Sequence, residues 1–455
     1  MELSQIFALV IFVGMFIAVV SDKWHRYIPA LVGAGLTVIV VFLIILKSPQ
    51  AVLDTLSLGQ LTEQAFWWVQ PGGELVESHQ GVNWQTIIFI GGMMVMVEGL
   101  GEVGFFRWLC LRLAKLVNYK VVPILVVFML LSGFLAMFID SITVLLFLAT
   151  VTIELARLLK FDPVPIIIAE IFASNVGGSA TMCGDPPNVI IGTAFGYTFF
   201  DFATNTGPIA WIGMLATLAF FYFAFRKVLT ASHGDTIIDP STYPEPGEAI
   251  TNMNLFRINT GIFLLIVVLL VTHAQTGISV ALIGVIAAAL TLLAGFRGAR
   301  HILERVDWRT LLFFIGLFIC VGGLEVTGML EKLAEFIAEV SGGNITVVIP
   351  IILWISAIAS GLVDNIPFAA TMIPVLRGLA QTTAMKLPTL AWTLALGTDI
   401  GGNATPIGAS ANVVGTAVAQ REGYRISWGR FCKYAIPAAI MVLGLCWLYL
   451  VVRYT

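Results

Sequence analysis

Charge is scarce in this chain, and the scarcity already excludes most classes of soluble protein. Of 455 residues, 58% are hydrophobic and only 11% are charged, against roughly 25% charged residues in an average soluble domain. The 24 Lys and Arg residues and 27 Asp and Glu residues include no basic tract that would bind nucleic acid. The composition therefore predicts an all-α polytopic membrane protein, with the lipid bilayer as its first partner.

Cysteine is also scarce, and its spacing gives no metal or redox motif. No Cys-x-x-Cys pair is present, so we expect no zinc or dithiol centre, and no cofactor beyond a bound Na⁺ or H⁺. The first apolar segment follows MELSQ, which lacks the positive residues of a secretory signal, so we expect it to be retained as a helix. The five cysteines are Cys110, Cys183, Cys320, Cys432 and Cys446.

Apolar segments of about 20 residues, the length that spans a ~30 Å hydrocarbon core, recur along the chain. Two longer blocks, 121–160 and 344–383, carry a polar break at the centre. We predict them to be re-entrant hairpins, because 19 of the 24 Lys and Arg residues then lie on the cytoplasmic side. Both termini then lie on the outer side of the plasma (inner) membrane. Ten crossings are predicted near 3–21, 28–46, 86–104, 163–200, 208–226, 255–273, 278–296, 310–327, 389–420 and 434–452.

Three separated windows of the sequence match one another at a single offset of 224 residues. VNWQTIIFIGG matches VDWRTLLFFIG, and NVGGSATMCGDPPNV matches DIGGNATPIGASANV. Internal repeats of this kind are frequent in transporters. The offset superimposes Val82 on Val306, Asn175 on Asp399, and Asp140 on Asp364.

The repeat predicts two halves, 1–227 and 255–455, joined by a cytoplasmic linker at 228–254. Each half would hold five crossings, one of them a broken helix, and one re-entrant hairpin. Because five is an odd number, the second half runs upside down relative to the first, which is an inverted-topology repeat. The hairpins then enter from opposite faces, and their tips meet near the midplane.

Polar residues concentrate at the two hairpin tips and at two glycine-rich breaks, within 163–200 and 389–420. A helix broken inside a membrane offers free carbonyls to a cation and free amides to an anion. We therefore predict a combined ion and substrate site, with Na⁺ at Asp140 and Asp364. The candidate residues are Asp140, Ser141, Thr143, Asn175, Gly177, Gly178, Thr181, Asp185, Asn188, Asp364, Asn365, Asp399, Gly401, Gly402, Asn403, Thr405, Ser410 and Asn412.

Several of these candidates also have a structural interpretation. The alternative role of Asp140 and Asp364 is to cap the second arm of each hairpin, although an uncharged residue would cap without the penalty of a charge in the membrane. For Asp185, which precedes two prolines, capping is the favoured interpretation. Asp399 is predicted to be a proton or cation ligand. The asparagines of the breaks are expected to bond the backbone there, at Asn188 and Asn412.

Other ionisable residues in the apolar segments are less specific. Glu98, Glu102 and Glu325 match only loosely between the halves, so scaffold contacts and a proton path remain alternatives for them. Glu170 is a weaker candidate of the same kind. Cys183 is considered as a soft ligand, but one thiol is a poor arsenite site.

No Lys or Arg is expected near either hairpin tip. Arg377 lies 13 residues after Asp364, about 20 Å along a helix, which places it near the outer surface. Any anion would then be held by amides, hydroxyls and a bound cation, which favours small or weakly charged substrates.

Three motifs resemble the ion transporter superfamily, which contains arsenite permeases, NhaD-type sodium/proton antiporters, and citrate and dicarboxylate permeases. They are GDPPNVIIG at 184–192, LVDNIPFAATMIPV at 362–375 and GASANVV at 408–414. The likeness covers nearly the whole chain and is greatest to the P permease branch. It implies a homodimer with a scaffold domain and a mobile transport domain of hairpins and broken helices, which works as an elevator.

The resemblance does not fix the substrate. The dicarboxylate branch carries Ser-Asn-Thr at its hairpin tips, whereas this chain has Asp140-Ser141 and Asp364-Asn365, which makes proton coupling more plausible. We expect an ion-coupled secondary transporter that moves a small anion or exchanges cations. Arsenite efflux, Na⁺/H⁺ antiport and a passive anion channel are the alternatives. The chain lacks the Tyr-Asp and Gly-x-Gly-Asp pair of an intramembrane aspartyl protease, so no enzyme is expected.

Overall fold

Lipid offers no hydrogen-bond partners, so a segment inside a bilayer must satisfy its own backbone, which an α-helix does. Within the described residues the chain is helical and has no β-strand; one isolated bridge joins Trp68 and Ile278. The predicted all-α polytopic architecture is thus confirmed. The computed structural model describes residues 2–21, 23–68, 81–232, 243–296, 298–383 and 385–455.

The helices are numbered here in chain order. Up to residue 232 they are α1 (Leu3–Val20), α2 (Tyr27–Leu36, continued by wider turns over Thr37–Ile45), α3 (Pro49–Leu56), α4 (Gln64–Trp67), α5 (Trp84–Glu102), α6 (Phe105–Leu116), α7 (Val121–Leu135), α8 (Ser141–Leu159), α9 (Val164–Gly178), α10 (Pro186–Phe195), α11 (Phe199–Asn205) and α12 (Gly207–Ser232). From residue 243 they are α13 (Met253–Thr276), α14 (Val280–Ala294), α15 (Ala299–Arg305), α16 (Trp308–Val326), α17 (Met329–Ser341), α18 (Ile345–Leu362), α19 (Asn365–Thr382), α20 (Leu387–Gly402), α21 (Ser410–Arg421) and α22 (Trp428–Tyr454).

In the described part of the chain, nine helices have the length and hydropathy to cross a membrane. They are α1, α2 with its extension, α5, α8, α12, α13, α16, α18 and α22. Three further apolar helices, α7, α9 and α14, have 15 residues each, or about 22 Å at 1.5 Å per residue. The segment predicted as a full crossing at 278–296 therefore contains a helix shorter than expected.

Each predicted interruption of an apolar block is present. The block 121–160 divides into α7 and α8, and the block 344–383 divides into α18 and α19. The broken segments are equally clear, since 163–200 contains α9 and α10, and 389–420 contains α20 and α21. The helix starts keep the 224-residue offset: α5 and α16 begin at Trp84 and Trp308, and α10 and α21 begin at Pro186 and Ser410.

The segment predicted as a linker, 228–254, is partly helical. α12 continues to Ser232, and residues 233–242 lie outside the described ranges. Beyond them the chain packs beside α6, where the Lys115 ammonium lies 2.6 Å from the Glu245 carboxylate. Both side chains are exposed, so this ion pair contributes little stability.

Two close helix crossings join the halves. α5 lies against α14, where a Cβ on Gly92 would be 2.1 Å from the carbonyl oxygen of Gly284. α16 lies against α2, where a Cβ on Gly316 would be 2.6 Å from the carbonyl carbon of Ala30. Gly92 and Gly316 are again 224 residues apart. Small residues permit these approaches, and van der Waals packing then supplies the attraction that lipid does not.

Gly92→Ala is expected to lower the apparent Tm in detergent. The added methyl overlaps the backbone of Gly284, which no rotamer change relieves, and overpacking typically costs about 1–3 kcal/mol. Gly14→Ala on α1 is the matched control, because nothing lies within 4 Å of its Cβ position. Equal Tm values for the two variants would contradict the close α5–α14 contact.

Candidate functional site

The two breaks hold their backbone with the same hydrogen bonds. In each break a fully buried asparagine donates both amide hydrogens to backbone carbonyl oxygens, one at the end of the preceding helix and one three residues beyond it. The expectation that these asparagines bond the backbone of the break is confirmed. The bonds run from Asn188 Nδ2 to the carbonyl oxygens of Gly178 (3.2 Å) and Thr181 (3.1 Å), and from Asn412 Nδ2 to those of Gly402 (2.8 Å) and Thr405 (2.7 Å).

Each break is also bonded to the hairpin of its own half. Thr181 Oγ1 donates to the carbonyl oxygen of Met137, and Thr405 Oγ1 donates to that of Gly361, both at 2.5 Å. Met137 and Gly361 lie just before the hairpin tips, so each tip is tied to a break by a repeat-related bond.

Glycines in the breaks allow the hairpin and the broken helix to touch through their backbones. A Cβ on Gly177 would be 2.1 Å from the carbonyl oxygen of Gly133, and one on Gly401 would be 2.2 Å from the Cα of Ala357. Their role in the geometry is close packing. The next glycine in each break faces the backbone of its own break. A Cβ on Gly178 would be 3.1 Å from the carbonyl oxygen of Gly184, and one on Gly402 would be 3.0 Å from that of Gly408.

At the first tip, Asp140 caps α8. Its Oδ1 accepts from the backbone N–H of Ile142 at 2.8 Å, and its Oδ2 accepts from Thr143 Oγ1 at 2.6 Å. The capping interpretation of Asp140 is therefore realised, and both of its oxygens are engaged within the first turn of its own helix.

At the second tip, Asp364 caps α19 and also forms an ion pair. Its Oδ1 accepts from the backbone N–H of Ile366 at 3.1 Å, and its Oδ2 accepts from Ser410 Oγ at 3.2 Å and from Arg26. The expectation that no Lys or Arg lies near a tip is wrong. Arg26 precedes α2, 338 residues before Asp364, and no sequence spacing signals so distant a contact.

The predicted Na⁺ position at Asp364 fits this arrangement poorly. A cation at the same carboxylate oxygen competes with the guanidinium of Arg26. In the residues that the structure describes, no three His, Cys, Asp or Glu side chains converge as a metal site.

Arg377 also differs from expectation. Its guanidinium turns to the end of α10, donates to the carbonyl oxygen of Ala194 at 2.8 Å and lies over the ring of Phe195. It therefore bonds protein rather than simply extending to the outer surface.

Asp185 joins the two tips. Its Oδ1 accepts from Ser141 Oγ at 3.0 Å and its Oδ2 from Asn365 Nδ2 at 2.8 Å. The favoured capping interpretation is wrong, since the Asp185 side chain makes no cap bond. The physical reason is that Pro186 and Pro187 occupy the first helical positions and have no N–H to offer, which leaves the carboxylate for the tips.

The centre of the site is a network of buried side-chain amides between the halves. Asn175 Nδ2 donates to Asn412 Oδ1 at 2.8 Å and to Asn403 Oδ1 at 3.0 Å. Asp399, the repeat counterpart of Asn175, is fully buried, and neither of its oxygens has a hydrogen-bond donor within the described residues. Asn188 Oδ1 and Asn175 Oδ1 also lack donors there.

Cavities of unequal size lie at the two tips. The cavity at the second tip has a volume of about 600 Å³ and opens past exposed residues between α1 and α2. The cavity at the first tip, between α5 and α10, has a volume of only about 20 Å³, which is room for about one water. The larger cavity is lined mainly by basic and aromatic side chains, together with the carboxylate of Asp307. The basic and aromatic residues are Lys23, Trp24, His25, Arg26, Tyr27 and Arg309.

The less specific candidates lie apart from this network. Glu170 accepts from Thr152 Oγ1 at 2.5 Å, between α8 and α9. Glu102 lies 3.6 Å from the His301 ring nitrogen near the start of α15. Cys183 lines the small cavity at the first tip together with Asp140.

Helices broken inside the membrane, polar tips that meet through Asp185, and a basic cavity ending at one tip are features of a membrane transporter. Residues 16–397 match the family model CitMHS, described as a citrate transporter. The chain belongs to this family, so it is a multi-pass membrane transporter and not an enzyme. The resemblance to the ion transporter superfamily is confirmed.

Curated relatives support the same class. An uncharacterized transporter of Mycobacterium tuberculosis is 36% identical over 385 residues, covering 83% of this chain and 88% of the relative. The P protein of Homo sapiens is 29% identical over 495 residues, covering 91% of this chain and 58% of that protein.

A solved structure shares the fold. It is the YdaH transporter of Alcanivorax borkumensis, which aligns with a TM-score of 0.56 and 13% identity over 98% of both chains. Identity this low supports the fold alone.

Asn412→Ala is expected to lower stability by about 2 kcal/mol, because it leaves the buried Gly402 carbonyl without its donor and removes one of the two acceptors of the Asn175 amide. Thermal unfolding in one detergent measures this. The control is Asn254→Ala, at an exposed position in the first turn of α13, for which no change in Tm is expected. A Tm loss no larger than that of the control would mean that Asn412 does not hold the break.

Proposed function

We propose that the chain is an ion-coupled secondary transporter that moves a small anion across the membrane. The observation that carries the proposal is the cavity of about 600 Å³ at the second hairpin tip, lined by Lys23, Arg26 and Arg309. One carboxylate, that of Asp307, also lines the cavity and accepts from Thr310 Oγ1. The three cationic side chains outnumber it, so the cavity attracts an anion. The planar guanidinium of arginine is suited to hold a carboxylate or another oxyanion through paired hydrogen bonds.

Arg26 contacts the anion in this proposal. Its Nη1 bonds Asp364 and, at 3.2 Å, Ser410 Oγ, so it already stands between the cavity and the hairpin tip. An entering anion competes with the Asp364 carboxylate for this guanidinium. A fully charged substrate is therefore compatible with the site, contrary to the sequence-based preference for weakly charged ones.

The two cavities support alternating access by inverted repeats. Phe313 and Ser410 line the large cavity, and their counterparts at an offset of 224, Phe89 and Pro186, line the small one. Related positions around a wide cavity and a nearly closed one are the arrangement expected of an inverted-repeat transporter open to one side.

The packing of the helices supports an elevator motion. One group, the proposed scaffold, contains the tight pairs α5–α14 and α2–α16, with α1 and α13 beside them. The other, the proposed transport domain, contains the hairpins and the broken helices α9–α10 and α20–α21, which pack on one another. Between the groups, α5 meets α10 and α16 meets α19, so Arg26, beside α2, holds Asp364 across the proposed boundary.

The orientation follows from the distribution of basic residues. Lys23 and Arg26 fall on the predicted cytoplasmic side, so the large cavity opens inward and both termini lie outside. A homodimer in the plasma (inner) membrane completes the proposal.

The coupling ion in this proposal is H⁺ or Na⁺, bound among the buried polar groups between the two hairpin tips. The description of the family as citrate transporters supports an organic anion as substrate. Arsenite efflux, Na⁺/H⁺ antiport and a passive anion channel are the competing functions.

Arg26→Gln is expected to raise the KM for citrate about 10-fold or more, because a hydrogen bond to a charged group contributes about 1.5–3 kcal/mol. Uptake of labelled citrate into proteoliposomes, with a pH dye inside and with Na⁺ or arsenite varied, is the measurement. Arg300→Gln is the matched control, because Arg300 pairs only at the exposed surface with Glu304. An unchanged KM in Arg26→Gln contradicts anion binding by Arg26, and current that follows the anion gradient without H⁺ or Na⁺ indicates a channel.

A double variant separates substrate binding from folding. Arg26→Gln leaves Asp364, which is only 1% exposed, without its ionic partner, and Arg26→Gln/Asp364→Asn removes that unpaired charge. If the raised KM persists in the double variant while Tm recovers, Arg26 acts on the anion. If both recover, Arg26 serves only to neutralise Asp364.

A further inference from the structure

One position breaks the symmetry between the halves. At this position in the first half, Asn175 donates to Asn412 Oδ1 at 2.8 Å. The 224-residue offset relates Asn175 to Asp399, and it relates Asn412 to Asn188. An amide donor in one half is thus replaced by a carboxyl group in the other.

The neighbours of Asp399 offer it acceptors. Asn188 lies beside it, but both amide hydrogens of Asn188 are already donated to the backbone of the break, which also fixes the orientation of the amide. Only Asn188 Oδ1 remains, and it has no donor among the described residues. The other neighbour is Asp185, whose two oxygens accept from Ser141 and Asn365.

Among the described residues, no cationic side chain compensates a charge on Asp399. Asp185, at the start of α10, is the titratable group that faces Asp399, and Asp140 and Asp364 in turn face Asp185. An ionised Asp399 would place its carboxylate oxygens against other hydrogen-bond acceptors in a site shielded from water. A buried polar group without a hydrogen-bond partner there costs free energy of folding.

A proton resolves this mismatch. We infer that Asp399 holds the coupling proton of the transport cycle and donates it in a hydrogen bond to Asn188 Oδ1 or Asp185. This assignment rests on the proposed function. The protonated carboxyl group then makes the bond that the Asn175 amide makes in the other half. The step is a simple transfer: an O–H bond forms on Asp399 with a proton from water on one side, and it breaks when the proton leaves to water on the other.

The position of Asp185 connects this proton to both hairpin tips. With Asp399 protonated, the Asp185 carboxylate is free to hold Ser141 and Asn365. When the proton leaves, two adjacent carboxylates repel one another in a medium of low dielectric constant. Asp185 is displaced, and the bonds that hold the tips together weaken. Loading of the proton thus closes the contact between the tips, and release opens it.

Asp399→Asn is the decisive variant because it is isosteric and restores the amide found at Asn175. The folded wild type holds a proton that the unfolded chain does not at neutral pH, so its Tm should fall as pH rises from about 5 to about 9. Other buried carboxyl groups, such as Glu170, also contribute to this slope. The variant should therefore show a shallower dependence than wild type, be at least as stable as wild type at high pH, and lose citrate uptake driven by a pH gradient.

Asn175→Asp is the matched control. It places a second carboxyl group against an asparagine oxygen, Asn412 Oδ1, and should make Tm more dependent on pH than in wild type. The two variants exchange the same atoms at repeat-related positions, so opposite effects on the pH dependence are the specific signature.

Three results would overturn the inference. The first is unchanged pH-driven uptake in Asp399→Asn. The second is a wild-type Tm that does not fall as pH rises; this test does not depend on the folding of any variant. The third is a Tm that rises with Na⁺, relative to N-methylglucamine, in wild type but not in Asp399→Asn, since this makes Asp399 a sodium ligand. If no anion is moved under any gradient while the Tm pattern holds, the transport proposal fails; Asp399 is then protonated, but its proton has no coupling role.

Discussion

A helix that stops inside a membrane leaves carbonyl groups that lipid cannot satisfy, and the site depends on how this chain satisfies them. Asn188 and Asn412 each donate to two such carbonyls, and a threonine in each break bonds the adjacent hairpin. Because asparagine and threonine side chains within the breaks bond these backbone groups, the carboxyl groups of the site are not needed for that purpose. Asp185 is thereby left to bond the tips, and Asp399 is left without a donor in the described structure.

The two halves share their framework but differ in chemistry. Bonds that hold the breaks recur at an offset of 224 residues, whereas Asp399 takes the place of Asn175. Arg26 reaches Asp364, while the bonds of Asp140 go to its own helix. A framework needs the same geometry twice, but a binding site that discriminates between an anion and a cation needs different charges in its two halves. The departures from the repeat are therefore where function is expected, and at one of them, Asp399, both carboxyl oxygens lack a donor among the described residues.

The sequence was sufficient for those parts of the molecule that depend on local pattern. Apolar length, glycine-rich breaks and the repeat offset predicted the helices, their interruptions and the backbone bonds of Asn188, because each follows from residues close in the chain. It was not sufficient where distant segments meet. Arg26 and Asp364 belong to different halves, and no spacing links them. For Asp185 the local rule was misleading, since the second proline, Pro187, removes one N–H that a cap would bond, and the N–H of Asn188 bonds the Asp185 carbonyl oxygen instead.

The second hairpin tip places the two proposed ligands on consecutive residues. Asp364 bonds Arg26, which lines the basic cavity, and Asn365 bonds Asp185, the neighbour of Asp399. An anion that draws Arg26 away alters the first contact, and a proton that leaves Asp399 alters the second. Adjacent residues at the start of one helix cannot move independently, so each event changes the geometry available to the other. In the proposed mechanism, coupling between anion and proton needs no long pathway, because both act on the same turn of α19.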